Sequence, residues 1–221
     1  MVLALDHAYY YLYTRKHVQK EKTVKKEIAF FDFDGTITTK DTLLEFIKFS
    51  KGGFSFYFGF LLYAPYLVAY KLKIISNQTA KEKILSNFFS DTPVEVFKNY
   101  CSDFSKKVLP ALIRKKALEE IKRLQKKNIK VVVVSASPEN WIQGWSLETG
   151  TELIASRLEI KNGKLTGKIL AKNCHGDQKV NRISEMYNLS EYHIVAAYGD
   201  SHGDRPMLGL ATHAYYKPFT N

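Results

Sequence analysis

A doubly wound, mainly parallel α/β sheet with an inserted all-helical cap is the fold that this 221-residue sequence predicts. Three observations carry that expectation. Short apolar runs, "IAFF" at 28–31, "VVVV" at 131–134 and "HIVAAY" at 193–198, alternate with helical stretches, as strands buried in a parallel sheet do. Each run ends on polar residues, the arrangement at the ligand-binding edge of an open sheet. From about Asp41 to Lys127 the texture is helical with no strong strand, which puts an all-helical block between the first and second core strands.

Taken in order, residues 1–22 ("MVLALDHAYYYLYTRKHVQKEK") do not read as a signal peptide. Asp6 and His7 interrupt the apolar part, the basic residues follow it, and no small-residue cleavage site appears. They are expected to form an N-terminal extension, with residues 23–40 and 128–221 as the core and 41–127 as the cap. Five of the six residues from Ile28 to Phe33 are apolar, yet Asp32 sits inside this first strand run and Asp34 follows it. A buried carboxylate is costly unless it is paired or coordinates a metal.

Within the cap, Thr92-Pro93-Val94-Glu95 predicts a helix start, with Thr92 as N-cap, Pro93 at the first position and Glu95 closing a capping box. A further helix from about Leu112 to Lys127 leads into the strand at Val131–Val134. A helix near Glu139–Glu148 follows, and then Asn162-Gly163 between alternating segments, the signature of a β-hairpin. A helix from about Gln178 to Tyr187 precedes "HIVAAY", which ends in "GDSHGD", and "ATHAYY" at 211–216 predicts a last strand.

Composition narrows the function. A hydrophobic fraction of 45% with 14% aromatics fills a proper core, which excludes global disorder. A net charge of +11 predicts attraction to an anionic membrane surface or to phosphorylated substrates. Nucleic acid is not an expected partner, because no basic run is interleaved with aromatics to form a platform. Cys101 and Cys174 have no metal-ligand spacing, and the cytoplasm is the expected compartment.

The polar residues at the strand ends are Asp32 and Asp34, then Ser135, then Asp200 and Asp204, while Lys179 opens a helix between the last two sets. Four carboxylates, a hydroxyl and an ammonium thus converge on one edge. Like charges this close repel. A hard divalent cation with oxygen ligands resolves the repulsion, and room for a substrate phosphate suits Mg²⁺.

"FDFDGT", "VVVVSAS", a downstream lysine and "GDSHGD" resemble the four ordered motifs of the haloacid dehalogenase superfamily, from Ile28 to the end of the chain. The helical insertion and "LTGKILAKNCHGDQKV" resemble its phosphoserine-phosphatase-like branch, subfamily IB. The resemblance implies a Rossmann-like core and a Mg²⁺-dependent phosphatase. Asp32 would be the nucleophile that forms an aspartyl-phosphate. Asp34 would protonate the leaving oxygen and later take a proton from the hydrolytic water. Ser135 and Lys179 would hold the phosphoryl oxygens. The cation would sit on the Asp32 carboxylate, the Asp34 backbone carbonyl and the Asp200 carboxylate, with Asp204 orienting its water shell or Lys179. Gly35, Gly199 and Gly203 would let the backbone approach the ligand. Thr36 either donates to the phosphate or stabilises the turn. Lys172 is a rival to Lys179, and His175 and His202 are expected at the rim.

The substrate is expected to be a small phosphorylated molecule or a lipid phosphate. Phosphoserine fits poorly, because enzymes of that kind place a Glu where this chain has Asp41 and use a cap arginine. No arginine lies between Arg15 and Arg114. The cap instead carries nineteen uncharged residues at 52–70, eight of them aromatic, flanked by Lys48, Lys51, Lys71 and Lys73. A single membrane crossing would put the motifs on opposite sides of the bilayer. The expectation is therefore a helical hairpin bent near Pro65, either core of the cap or, second, in peripheral contact with an anionic membrane on its cytoplasmic face. In this respect the cap resembles that of phosphatidylglycerophosphatases of the same branch.

Overall fold

The computed structural model describes residues 26–220, so the expected N-terminal extension lies outside the described residues. Its strands are β1 (Lys26–Phe31), β2 (Lys130–Pro138), β3 (Glu152–Ser156), β4 (Leu158–Lys161), β5 (Lys164–Ile169), β6 (Tyr192–Gly199) and β7 (His213–Tyr216). Five of them form one parallel sheet in the order β3-β2-β1-β6-β7, and β4 and β5 pair antiparallel on their own. The helices are α1 (Thr42–Lys71), α2 (Asn77–Phe89), α3 (Val94–Lys107), α4 (Leu109–Leu112), α5 (Lys115–Lys126), α6 (Glu139–Thr149), α7 (Asp177–Met186) and α8 (Arg205–Leu208).

Alternation along the strands sorts residues to two layers. Ile28 and Phe30 of β1 pack with Val132, Val134, Ala197 and Ile183 of α7. Ala29 and Phe31 face the opposite layer, with Val131, Val133 and the apolar stripe Ala117, Ile121 and Leu124 of α5. Apolar strands covered on both sides are what the runs of valine and isoleucine require.

The helical excursion after β1 is shorter than the expected 41–127. Thr39 N–H donates to Leu112 O (2.8 Å) and Arg114 N–H to Ile37 O (2.8 Å), which joins the outgoing and returning chain. Ile113 pairs with Thr38 at this crossing, so the helix expected from about Leu112 begins at Lys115, as α5, and α5 belongs to the sheet layer. Cap and core share one hydrophobic cluster. Phe46 of α1 packs on Phe89, Phe97 and Phe104 of the cap and stacks on Trp141 of α6, with ring centroids 4.5 Å apart.

Three local expectations are corrected. Thr92 and Glu95 form no capping box. Helix α3 starts after Pro93, and the hairpin takes the free groups: Val94 N–H donates to Gly163 O (2.9 Å) and Leu165 N–H to Thr92 O (3.0 Å). The chain runs helically through Pro65, and α1 breaks instead at Gly52 (φ 79°, ψ 163°). The segment 52–70 is also not cap core, since Gly59 is its one buried residue. Strand β3 was not expected. A glycine in the left-handed conformation, Gly150, ends α6 and turns the chain into this short edge strand.

The hairpin turn at Asn162 (φ 50°) and Gly163 (φ 72°) is as expected. Its strand β5 rests on α2 at Gly167 (φ 78°), where an added Cβ would lie 2.2 Å from Ser86 Cα. Backbone cannot rotate away as a side chain can. Gly167→Ala is accordingly expected to lower the unfolding free energy by about 1–3 kcal/mol in a urea titration. A wild-type midpoint would contradict this contact.

Candidate active site

The strand order brings the ends of β1, β2 and β6 together, and the site is built on those three ends. Asp32 follows β1 directly, with its N–H donating to Tyr198 O of β6 (2.9 Å). The next residues, Phe33–Ile37, make one tight turn that swings Asp34 and Thr36 to the same edge. Gly35 is essential to that turn. Its φ is +81°, and a Cβ there would lie 2.3 Å from Asp200 Oδ2.

Lys179, in the first turn of α7, is buried and supplies the positive charge. Its Nζ donates to Asp32 Oδ1 (2.5 Å), Asp204 Oδ1 (2.7 Å) and Val134 O (2.8 Å). An ammonium has three donors, and all three are used. Lys172 lines a separate cleft of about 660 Å³ that contains none of these aspartates.

Asp204 is equally committed. Its Oδ2 accepts from Ser201 N–H (2.9 Å), Ser201 Oγ (2.7 Å) and Asp200 N–H (3.2 Å). Of its two expected tasks, the bonds match orienting Lys179. Gly199 and Gly203 leave room here, since a Cβ would come within 2.5 Å of Asp204 Cβ and 2.2 Å of His175 Cε1, respectively. Thr36 Oγ1 reaches Asp32 Oδ2 (3.1 Å) and Asp200 Oδ1 (3.4 Å), so its one hydroxyl proton links two carboxylates.

Asp34 is held from the cap side. Its Oδ1 accepts from both the N–H and Oγ1 of Thr42, each at 2.6 Å, and Ser135 Oγ donates to its Oδ2 (3.4 Å). Trp141 Nε1 donates in turn to Thr42 Oγ1 (3.0 Å). Asp41, beside Thr42, accepts from Leu44 N–H (3.1 Å) and caps α1.

Burial pushes the Asp32 carboxyl up to about 7; Lys179 opposes this, while Asp204 and Asp34 add to it. Burial alone would lower Lys179, but Asp32 and Asp204 outweigh it and hold the ammonium above the ordinary lysine range. Burial raises Asp200, and Asp204 raises it further. Asp204 goes the other way: burial would raise it, but Lys179 and the Ser201 bonds bring it below the usual carboxylate value. Carboxylate oxygens of Asp32, Asp200 and Asp204 lie within 4.8 Å of one another. This all-oxygen donor set, with more carboxylates than Lys179 neutralises, fits a hard divalent cation.

A cleft of about 360 Å³ opens over these groups, lined on the core side by Asp32, Asp34, Asp200 and Asp204 and on the cap side by Asp41, Asn77 and Lys81. His175 lines it as expected at the rim; His202 is exposed outside it. Thr42 and Lys81 are among the residues at the site that were not anticipated. Thr42 had a local signal, since it directly follows the helix-capping Asp41. Lys81, from α2, donates to Ala136 O (2.9 Å). Burial lowers its ammonium below the ordinary value, against the pull of Asp41 and Asp34. Nothing near it in the sequence marks it.

The sequence matches the family model of haloacid dehalogenase-like hydrolases over residues 29–209. The chain belongs to that family. It is 32% identical over 193 residues to Protein CicA of Caulobacter vibrioides, covering 86% of this chain and 85% of that one. Among solved structures it is similar to a protein of unknown function from Bordetella pertussis Tohama I (TM-score 0.75, 20% identity, 86% and 88% of the two chains). A phosphoserine phosphatase solved as a phospho-aspartyl intermediate analogue is also similar (TM-score 0.60, 22% identity, 85% and 84%). At these identities the solved structures bear on the fold.

Because the folded chain raises the Asp32 carboxyl, that group's contribution to stability is complete below about pH 4 and is lost as pH rises through about 7. Without divalent cation, the thermal midpoint is expected to fall over this range. Asp32→Asn, which cannot ionise, should flatten part of that slope. Melts recorded across the range in a chelator test it, and an unchanged slope in the variant would assign the effect to other groups.

Proposed function

We propose that this chain is a Mg²⁺-dependent phosphomonoesterase working through an aspartyl-phosphate on Asp32. The observation that carries the reading is the pair of aspartates after β1. Asp32 is fixed by Lys179 and Thr36, and Asp34 is fixed separately by Thr42 across the same cleft. Two carboxyl groups with different partners suit two different tasks. That one similar fold was solved as a phospho-aspartyl analogue of a phosphatase supports the same assignment.

Asp32 attacks phosphorus as the bond to the leaving oxygen breaks, and Asp34 gives that oxygen its proton. A water then attacks the aspartyl-phosphate and passes a proton to Asp34. The bond from phosphorus to Asp32 breaks, and both carboxyl groups return to their starting state. Lys179 and Ser135 offset charge on the phosphoryl oxygens. Asp32 and Asp200, with the Asp34 backbone carbonyl, would hold Mg²⁺. The cation neutralises the carboxylate surplus and the charge of the phosphoryl group.

On the leaving-group side the cleft presents Lys81 and Asn77, while Asp41 is engaged as a helix cap. The cap portion of that wall has a lysine and no arginine. A lysine does not reproduce the bidentate grip of an arginine on a carboxylate. The wall lacks the arginine that would grip the phosphoserine carboxylate, which favours another small phosphorylated molecule or a lipid phosphate as the substrate. Cys101 and Cys174 are buried free thiols, in keeping with a cytoplasmic enzyme.

Asp32→Asn is expected to reduce turnover of an aryl phosphate by about a thousandfold or more while leaving the fold intact. Substantial activity in that variant would remove Asp32 as the nucleophile. Chelation of divalent cations should abolish turnover, and added Mg²⁺ should restore it. Thr42→Val, which keeps the shape but frees Asp34, should lower kcat by about 10- to 100-fold with a smaller change in KM. A pure KM effect would mean that Thr42 acts on binding alone.

A further inference from the structure

The half of α1 beyond Gly52 is an apolar surface that the described protein leaves uncovered. Phe54 is 86% exposed, Leu61 72%, Phe58 56% and Leu62 56%. These side chains recur at the i, i+4, i+7 and i+8 spacing of one helix face. The opposite face is fixed to the cap. Gly59 sits against Phe88, where a Cβ would lie 2.3 Å from its ring, and Tyr70 Oη accepts from Asn77 Nδ2 (3.1 Å).

The segment is long and apolar enough to cross a membrane by length and composition, but the chain leading into it and the chain leading out of it both reach one site. Thr42, at the start of α1, bonds Asp34, and Lys81, shortly after its end, lines the same cleft. A crossing would tear those groups apart. A helix packed along its length on α2 lies flat instead.

We propose that this face docks on the surface of an anionic lipid bilayer, with α1 parallel to the membrane plane. Charge identifies the occupant. No acidic residue lies between Glu45 and Glu82, whereas Lys48 and Lys51 precede the apolar segment and Lys71 and Lys73 follow it. Tyr57 joins the exposed set, and a phenol ring suits the headgroup boundary. Apolar side chains bordered by lysines, with no acid among them, match acyl chains beneath negative headgroups. The net charge of +11 acts in the same direction at longer range. Thr42 and Gly52 are about 15 Å apart along a helix, so the docked face stands near the cleft.

The proposal is independent of the phosphatase reading, because vesicle binding requires no turnover. The full chain is sedimented with vesicles of phosphatidylglycerol and phosphatidylcholine, and with phosphatidylcholine alone. It should bind the first strongly, the second weakly, and lose binding to the first as salt rises. The triple variant Phe58→Ser, Leu61→Ser, Leu62→Ser should weaken binding by about tenfold or more, with hydrolysis of a soluble aryl phosphate unchanged. Lys71→Glu with Lys73→Glu should weaken it through charge alone. Failure of the full chain to bind at low salt would overturn the proposal, as would equal binding by the triple variant. A dimer that the triple variant converts to monomer, with no vesicle binding, would assign the face to a second copy. Binding that appears only after removal of residues 1–25 would assign it to that segment of the chain.

Discussion

The buried ammonium of Lys179 is the interaction on which the rest of the site depends. It reaches Asp32 after β1, Val134 O within β2 and Asp204 after β6, so one side chain ties together three strand ends. A buried ion pair is weak evidence for stability, because desolvation consumes much of the attraction; removing one partner costs about 3–5 kcal/mol, since a bare charge remains. Here the lysine faces two carboxylates at contact distance and further ones nearby. The sheet edge is therefore left with a surplus of negative charge that the protein itself does not neutralise. Burial is the main cause of the upward push on Asp32 and Asp200, and the neighbouring carboxylates add to it. A cation held by Asp32, Asp200 and Asp204 would relieve both, which would connect folding, ionisation and metal binding in one place.

Asp34 belongs to a different network. Its bonds lead through Thr42 to Trp141, and Phe46 stacks on the Trp141 ring one turn further along α1. The proposed proton carrier is thus positioned by the root of the cap, and the proposed nucleophile by the core. That division explains why cap and core share one hydrophobic cluster, since slippage between them would move Asp34 relative to Asp32. It also gives the two aspartates different hydrogen-bond partners, though they are two residues apart in sequence.

Much of this was legible in the sequence because the signals are local. An apolar run ending in an aspartate marks a strand end wherever it occurs, and so the strands carrying Asp32, Ser135 and Asp200 were readable. Asn162-Gly163 dictates its turn through backbone sterics alone. What was not legible depends on partners far along the chain. Thr92 looks like an N-cap until the hairpin around Gly163 arrives to bond the backbone on either side of Pro93. Lys81 is one lysine among many until α2 folds over the cleft. The break in α1 was expected at Pro65, but a proline whose surroundings stay helical does not stop a helix, whereas Gly52 takes a conformation open mainly to glycine. The apolar segment misled for the same reason. Hydrophobicity predicts that a surface wants cover, and says nothing of what provides it.

Helix α1 serves two environments, and Gly52 is the boundary between them. Before it, Thr42, Leu43, Phe46 and Ile47 are buried and anchor the site. After it, the helix turns an uncharged aromatic face outward and packs its other face along α2. A continuous helix would carry one face smoothly from buried to exposed, and the residues inward at Phe46 would set the rotation of everything beyond. With φ at +79° and no atom within 4 Å of where its Cβ would be, Gly52 resets that rotation without strain. The outward face beyond it can then answer to its surroundings without disturbing Thr42. The residues that hold Asp34 and those proposed to meet the membrane share one element, and the break keeps a demand on one half from becoming a distortion in the other.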